Sequence, residues 1–415
     1  MEKIWKTISS LKLTVILLAF SCVLVFIGTV AQADEGLYNA QERYFKHWFV
    51  PWFSFFGTKV PVPMPGGYLL GTALLVNLIA AHITRFKWGW KKSGIFLTHI
   101  GIIMLLLGQL TTDLFSRETQ MRFAEGEAKQ YSESAMEYEL AVTSDASEHK
   151  EDVVAIPLSF FKAGSEIKHE KLPFTLKVKE FWKNSDTNFR APMQTNKPAL
   201  TTNGVAQSFD FVEAPETKKM EEKNIPTAIV EVVGAKENFG TWVLPGWAGD
   251  NLLVESIHMS FERQVGHDSA VRIANQLGAP QSIEVDGKTY TMTMRPVRAY
   301  KPYTMTLLKT THTVYPGTEI PKDFRSRVLI ENPETSEKRE VDIWMNNPLR
   351  YAGLTFYQYQ MGKDELDRSR GTSTLQVVRN PSWLTPYVGC LVVGLGLTVQ
   401  FMIHLVAFVS KRRTA

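Results

Sequence analysis

The apolar residues of this chain are gathered into four long runs, and those runs divide it. They cover residues 13–31, 68–83, 94–110 and 385–409. A helix needs about 20 apolar residues to cross a bilayer, so each run predicts a membrane span. The second and third are short and lean on flanking side chains that reach the headgroups. Between the third and fourth runs the pattern switches to short segments with period-two alternation, rich in Val, Thr, Tyr and Phe and bounded by Gly, Pro and Asn. Strands are predicted over 174–181, 227–233, 289–297, 303–310, 327–331, 340–345, 354–359 and 374–378. Asp286-Gly287, between two of the alternating segments, predicts a hairpin turn. Leu252, Leu253, Ile257 and Phe261 recur at helical spacing before Gly278, which predicts one or two short helices there. The polar stretch 183–225 predicts a long loop or linker.

The predicted fold class is therefore a polytopic α-helical membrane protein of four spans, with a large β-rich domain between spans three and four. Basic residues orient it. Lys3, Lys6 and Lys12 precede the first run, Arg85, Lys87, Lys91 and Lys92 join the second to the third, and Lys411, Arg412 and Arg413 follow the fourth. By the positive-inside rule these ends are cytoplasmic. The expected order is a cytoplasmic N-terminus (1–12), the first span (13–31), an outer loop with an interfacial segment (32–67), the second span (68–83), a cytoplasmic loop (84–93) and the third span (94–110). An extracytoplasmic β-rich domain (111–384), the fourth span (385–409) and a cytoplasmic C-terminus (410–415) complete it. The expected location is the inner, cytoplasmic membrane, with the large domain in the periplasm or outside. Trp88 and Trp90 among the lysines of the second turn, and Trp48 to Phe53 in the outer loop, suit the headgroup level. Ala31-Gln32-Ala33 imitates a signal-peptidase site, but the apolar run before it is longer than a usual signal core of about 7–15 residues. We expect the span to be retained.

Composition narrows the chemistry. Of 415 residues 21% are charged, with a net charge of +4. The segment 111–384 carries more acidic than basic side chains, so the basic excess belongs to the span flanks. It reflects topology, and nucleic-acid binding is not expected. The two cysteines, Cys22 and Cys390, lie in separate apolar runs and supply no CxxC, CxxCH or four-cysteine cage. HExxH, GxSxG, Walker A and GxGxxG patterns are absent, which removes the usual support for hydrolase, NTPase and dinucleotide-enzyme readings.

Position relative to the membrane sorts the nine histidines. An imidazole in hydrocarbon is costly and is a functional hypothesis by default; neutral, it is also an axial ligand for haem iron. His99 lies seven residues beyond Lys92 and His404 seven before Lys411, each about 10 Å from its cytoplasmic end at 1.5 Å per residue. For His99, ligation or proton relay stands beside packing; Gly101 and Gly108 on the same run would admit a flat macrocycle or another helix. For His404, a helix–helix hydrogen bond or snorkelling stands beside a ligand role. His82, three residues from Arg85, reads as interfacial. His47, His149, His169, His258, His267 and His312 form no recognised ligand spacing, and surface or packing roles are expected for them.

Several stretches resemble the ResB family of System II cytochrome c biogenesis. They are Ser10 to Thr14 leading to Ile27-Gly28-Thr29-Val30-Ala31-Gln32, His99-Ile100-Gly101 leading to Leu107-Gly108, Asn347 to Gly353 followed by Phe356-Tyr357-Gln358, Tyr315 to Thr318, and Pro321 to Phe324 with Ser326. The order of these stretches, and the layout of three spans, outer domain and last span, carry the resemblance. It implies a subunit that works with a CcsA-type multi-span protein to move haem b from the cytoplasmic side and present it to apocytochrome c. His99 would then be one axial ligand of the haem iron, with the second imidazole supplied by the partner. The chain lacks the partner's tryptophan-rich motif, so attachment chemistry would sit there and this chain would be a non-catalytic subunit of the synthase. His404 lies outside these motifs and remains a second candidate from depth alone. The alternative is a membrane-anchored β-rich scaffold that recruits envelope proteins without binding haem. A quinone-linked electron carrier would need more intramembrane histidines.

Overall fold

The computed structural model describes residues 2–55, 57–86, 89–147, 150–190, 199–217, 223–318, 321–364 and 369–413. His149 and the Lys87-Trp88 pair lie outside them. The chain divides into two compact units, a helical one built chiefly from Met1–Arg117 and Arg379–Ala415 and a β-rich one of Glu118–Thr217 and Lys223–Val378. Six helices of eight or more residues are described: α1 (Leu11–Glu35), α2 (Gly67–Arg85), α3 (Ser93–Phe115), α4 (Asn251–Val265), α5 (His267–Leu277) and α6 (Thr385–Arg413). Of these α1, α2, α3 and α6 are long and apolar enough to cross a membrane.

Local chemistry sets the ends of α1. Ser10 caps its start by accepting from the Leu13 N–H at 3.1 Å, and Gly36, at φ 79°, stops it. Asn77 on α2, 1% exposed, donates to the carbonyls of Ile8 (2.5 Å) and Ser10 (3.2 Å) and lies 2.6 Å from Thr14 Oγ1. These bonds offset the cost of an amide among apolar helices. They also satisfy carbonyls at the break between the short helix Glu2–Ile8 and α1.

Helices α3 and α6 meet along small residues. A Cβ at Gly94 would stand 2.5 Å from the Gln400 nitrogen, one at Gly101 2.6 Å from Val393 Cγ2, and one at Gly108 2.5 Å from Thr385 Cγ2. From the other side, a Cβ at Gly389 would meet Leu105 Cδ2 at 2.7 Å and one at Gly396 the Thr98 nitrogen at 2.5 Å. Glycines seven apart face one way, so α3 presents a flat strip that admits the α6 backbone. The space beside Gly101 and Gly108 is thus taken by a helix.

The β-rich unit has a ten-stranded antiparallel sheet. From one edge its order is Glu337–Trp344, Pro321–Asn332, Lys288–Val314, Ala128–Ser147, Arg117–Ala124, Gly371–Arg379, Leu354–Lys363 and Leu349–Tyr351. Gln281–Val285 pairs beside Lys288–Val314, and Lys150–Pro157 beside Ala128–Ser147. A four-stranded sheet, ordered Asn238–Pro245, Thr227–Gly234, Phe174–Trp182 and Glu166–Ile167, shares a core with it. Leu140, Val142, Met292 and Met294 there meet Leu176, Val178, Val230 and Leu244. A second core gathers Met121, Met305, Leu307, Val328, Phe356 and Leu375.

Three expectations change. The strands expected at 289–297 and 303–310 are one strand, Lys288–Val314, whose register against Ala128–Ser147 shifts at Pro296/Arg298 and again at Tyr300/Met305. Proline cannot donate to the ladder, so the first shift falls at Pro296. The polar stretch 183–225 is not all loop: Ser185–Phe189 pairs with Phe209–Glu213, and Phe209 and Phe211 are buried. Strands at Arg117–Ala124, Ala128–Ser147, Lys150–Pro157 and Asn238–Pro245 were not expected. Their charged outer positions dilute the apolar signal, whereas Asp286-Gly287 does turn a hairpin.

Candidate functional site

The site is built on α2 and α3, which are neighbours along the chain. His99 is half-buried, and its Nδ1 lies 3.2 Å from Nε2 of His82, with ring centroids 4.7 Å apart and planes at 87°. His82 Nδ1 in turn lies 3.0 Å from the Leu78 carbonyl oxygen. A carbonyl only accepts, so this Nδ1 carries the proton, and a neutral His82 offers Nε2 as an acceptor. His99 must then donate from Nδ1, and the in-plane lone pair of its Nε2 is left for another atom. Among the described residues His99 Nε2 has no hydrogen-bond partner of its own. The chain Leu78 carbonyl, His82, His99 thus fixes both tautomers and aims one imidazole nitrogen away from the pair. Metal-bound imidazole has this arrangement, with its other nitrogen donating to a fixed acceptor.

Aromatic side chains pack the pair on the side of the C-terminal end of α2. His82 stacks on Phe86 at 5.3 Å and 22°, and Phe86 stacks on Phe96 at 5.3 Å and 30°. His82, read from sequence as interfacial, is therefore placed with His99. Counting from the nearest basic residue measures depth along one helix and misses the offset between two. The available signal was a histidine on either side of one short turn.

Residues two apart on a helix point about 200° away from each other. His99 accordingly faces away from Gly101 and the α6 contact, toward α2. Farther along the α2–α3 seam lies a cavity of about 500 Å³, lined by Gly71, Leu75, Leu106, Gln109 and Leu110 among others. Tyr68 donates to Asp113 at its far end. Leu75 and Tyr68 precede His82 at heptad spacing, and Leu106 and Asp113 follow His99 at the same spacing, so these residues share one seam.

His404 is placed elsewhere. Its Nε2 lies 2.9 Å from Gln400 Nε2, one turn earlier on α6, and it is exposed. Gln400 also donates to the Lys91 carbonyl (3.3 Å) and accepts from Ile95 N–H (3.3 Å). His404 and Gln400 thus belong to the junction of α6 with the start of α3, and the ring that meets His99 is His82. Cys22 and Cys390 are exposed thiols.

Two of the stretches in the β-rich unit that carried the family resemblance have structural explanations. Ala352 (φ 48°) and Gly353 (φ 75°) form a two-residue turn between Tyr351 and Leu354, which requires positive φ at both positions. Phe356 is fully buried beyond it. Ser326 Oγ bonds Gln358 Oε1 at 2.6 Å and Ser373 Oγ at 2.7 Å, so residues from three strands close one buried polar network.

The ResB-like family model matches residues 281–372. Protein NrfI of Wolinella succinogenes is 34% identical over 83 residues, which are 20% of this chain and 9% of that protein. The chain therefore aligns with about a tenth of the length of this curated relative. The family match lies in the β-rich unit and does not include His99.

Proposed function

Residues 281–372 match the ResB-like family, and on that likeness we propose that the chain serves cytochrome c biogenesis as the haem-handling partner of a CcsA-type multi-span protein. The proposed task is to hold haem b in the membrane and pass it outward for attachment to apocytochrome c. The observation that carries the haem role is the free Nε2 of His99, aimed by the His82–Leu78 chain. The donor set fits haem iron, because a neutral imidazole in an apolar site is an axial ligand whose orientation must be fixed from behind.

In this reading His99 supplies one axial nitrogen and the partner the other. Two imidazoles leave iron no open position, which suits carriage of a reactive macrocycle. Phe86 and Phe96, stacked on each other and on His82, make the surroundings of the pair apolar. His404, tied to Gln400, serves in this proposal as part of the α6 anchor. In this proposal both termini lie in the cytoplasm and the β-rich unit outside, where apocytochrome is met; the location of the basic residues supports this orientation.

The test is an absorption spectrum of the detergent-purified chain co-expressed with its candidate partner, wild type against His99→Ala. A low-spin bis-imidazole spectrum is expected for wild type. The variant should lose at least nine-tenths of its haem or turn high-spin, with recovery on adding imidazole. A haem-free wild-type complex, or an unchanged variant, defeats the haem assignment and favours the scaffold reading.

A further inference from the structure

We propose that His258, Glu262 and His267 form a binding site for a first-row divalent cation of the zinc type, in the β-rich unit. One ligand atom from each of the three lies within 4.8 Å of the others. The rings of His258 and His267 are 4.9 Å apart at 85°, and His267 Nδ1 is 3.4 Å from a Glu262 carboxylate oxygen.

The local sequence produces this convergence. Asp250 caps α4, accepting from the Leu252 N–H at 3.0 Å. His258 and Glu262, four residues apart, then stand on one face of the helix. Gly266 ends α4 and begins α5 with no loop between them. Its φ of 79° and ψ of 162° lie where only glycine is at ease, and nothing within 4 Å would obstruct a side chain. Backbone conformation is therefore what the position demands, and the sharp turn returns His267, the first residue of α5, over the last turns of α4. Ile257 of α4 and Ile273 and Leu277 of α5 share a core with Phe209 and Val243, which holds the helix pair in place.

The second observation is His258 itself. Its side chain is fully buried, yet neither Nδ1 nor Nε2 has a hydrogen-bond partner among the described residues. A histidine used only for packing would be a poor choice there, since apolar side chains of that size cost nothing in unmet hydrogen bonds. A cation on one of its nitrogens satisfies it. Two imidazoles and a carboxylate are the donor set of a three-ligand zinc site whose fourth position holds water. Calcium and magnesium, which prefer all-oxygen shells, are poorly served. Zinc at about 2.0–2.1 Å would draw its donors to roughly 3.3 Å apart. The partly exposed side chains of His267 and Glu262 supply that movement while His258 stays fixed. The three positions are separated in sequence by the glycine hinge and match no familiar spacing, which is why the pattern alone did not reveal them.

The site does not depend on the haem reading. The test titrates the untagged, full-length protein, stripped with chelator and held in detergent, with Zn²⁺ against a chromophoric competitor, and with Co²⁺ read by its visible bands. Wild type should bind one Zn²⁺ equivalent, give the intense bands of four-coordinate Co²⁺, and melt at a higher temperature with Zn²⁺ than without. His267→Ala and Glu262→Gln, at partly exposed positions, should melt like wild type in chelator and bind Zn²⁺ at least tenfold more weakly. Absence of a stoichiometric site in wild type overturns the proposal. So does binding that survives in the Glu262→Gln/His267→Ala double variant.

Discussion

Two pairs of histidines in this molecule have nearly the same ring geometry and opposite hydrogen bonding. His82 and His99 in the helical unit meet edge to face at 87°, and His258 and His267 in the β-rich unit at 85°. In the first pair one nitrogen of each ring is used against the other, and a backbone carbonyl fixes the series, so a single nitrogen emerges with a defined lone pair. In the second pair no nitrogen of the buried ring is used. Ring contact alone therefore says little about chemistry. What matters is which nitrogens remain after the neighbours have taken theirs. Elsewhere both units pair their polar groups: Asn77 among the helices meets three oxygen partners, and the half-buried Lys301 of the sheet meets the Ser132 hydroxyl (2.7 Å) and the Ala299 carbonyl (3.0 Å), both uncharged.

The largest effect is expected from breaking the frame of the first pair. Gly101→Leu drives a side chain into Val393 and the Gly389 carbonyl. Overpacking of this kind costs about 1–3 kcal/mol, and here backbone stands opposite, so the upper end is expected. Thermal unfolding in detergent should fall accordingly, and haem retention with it; an unchanged melting temperature would show that α3 and α6 are not packed through glycine.

A matched substitution sharpens the comparison itself. His82→Phe keeps an aromatic ring beside His99 but removes the acceptor for its Nδ1, and loss of a supporting hydrogen bond of this kind weakens metal ligation about 10–100-fold. Haem should dissociate faster by that factor, with part of the spectrum high-spin. His267→Phe should leave haem binding untouched. Equal behaviour of the two variants would erase the distinction drawn between the pairs.

The smallest effect concerns Lys301, whose amine burial pushes down to about 8 from its ordinary 10.5. Below pH 8 both folded and unfolded chains hold this proton, and the desolvation penalty is present in full. Between about pH 8 and 10.5 the unfolded chain keeps a proton that the folded chain has lost, so stability rises with pH across that window. Lys301→Met should flatten the rise by a few tenths of a kcal/mol or more, since partial exposure screens the penalty. A chevron or melting series at pH 7.5, 9 and 10 reads it, and an undiminished slope in the variant would assign the effect to other groups.

What the sequence determined by itself is what depends on local composition. An apolar run long enough to satisfy its own backbone in lipid must be a helix, so α1, α2, α3 and α6 were legible, as were the Asp286-Gly287 turn and most strands bounded by Gly or Asn. His99 was singled out because a polar ring in hydrocarbon is visible as an exception. Only the tertiary structure decided who its neighbours are. That Gly101 and Gly108 are filled by α6, that His82 takes His99 Nδ1, and that a strand bends through Pro296 instead of stopping all depend on the offset between elements distant along the chain. The approach of His267 to His258 is a shorter-range matter, resting on one backbone angle at Gly266. Periodicity records which face of an element is apolar; it carries no information on how far one element slides against the next, and the meeting of His82 with His99 is set by that sliding.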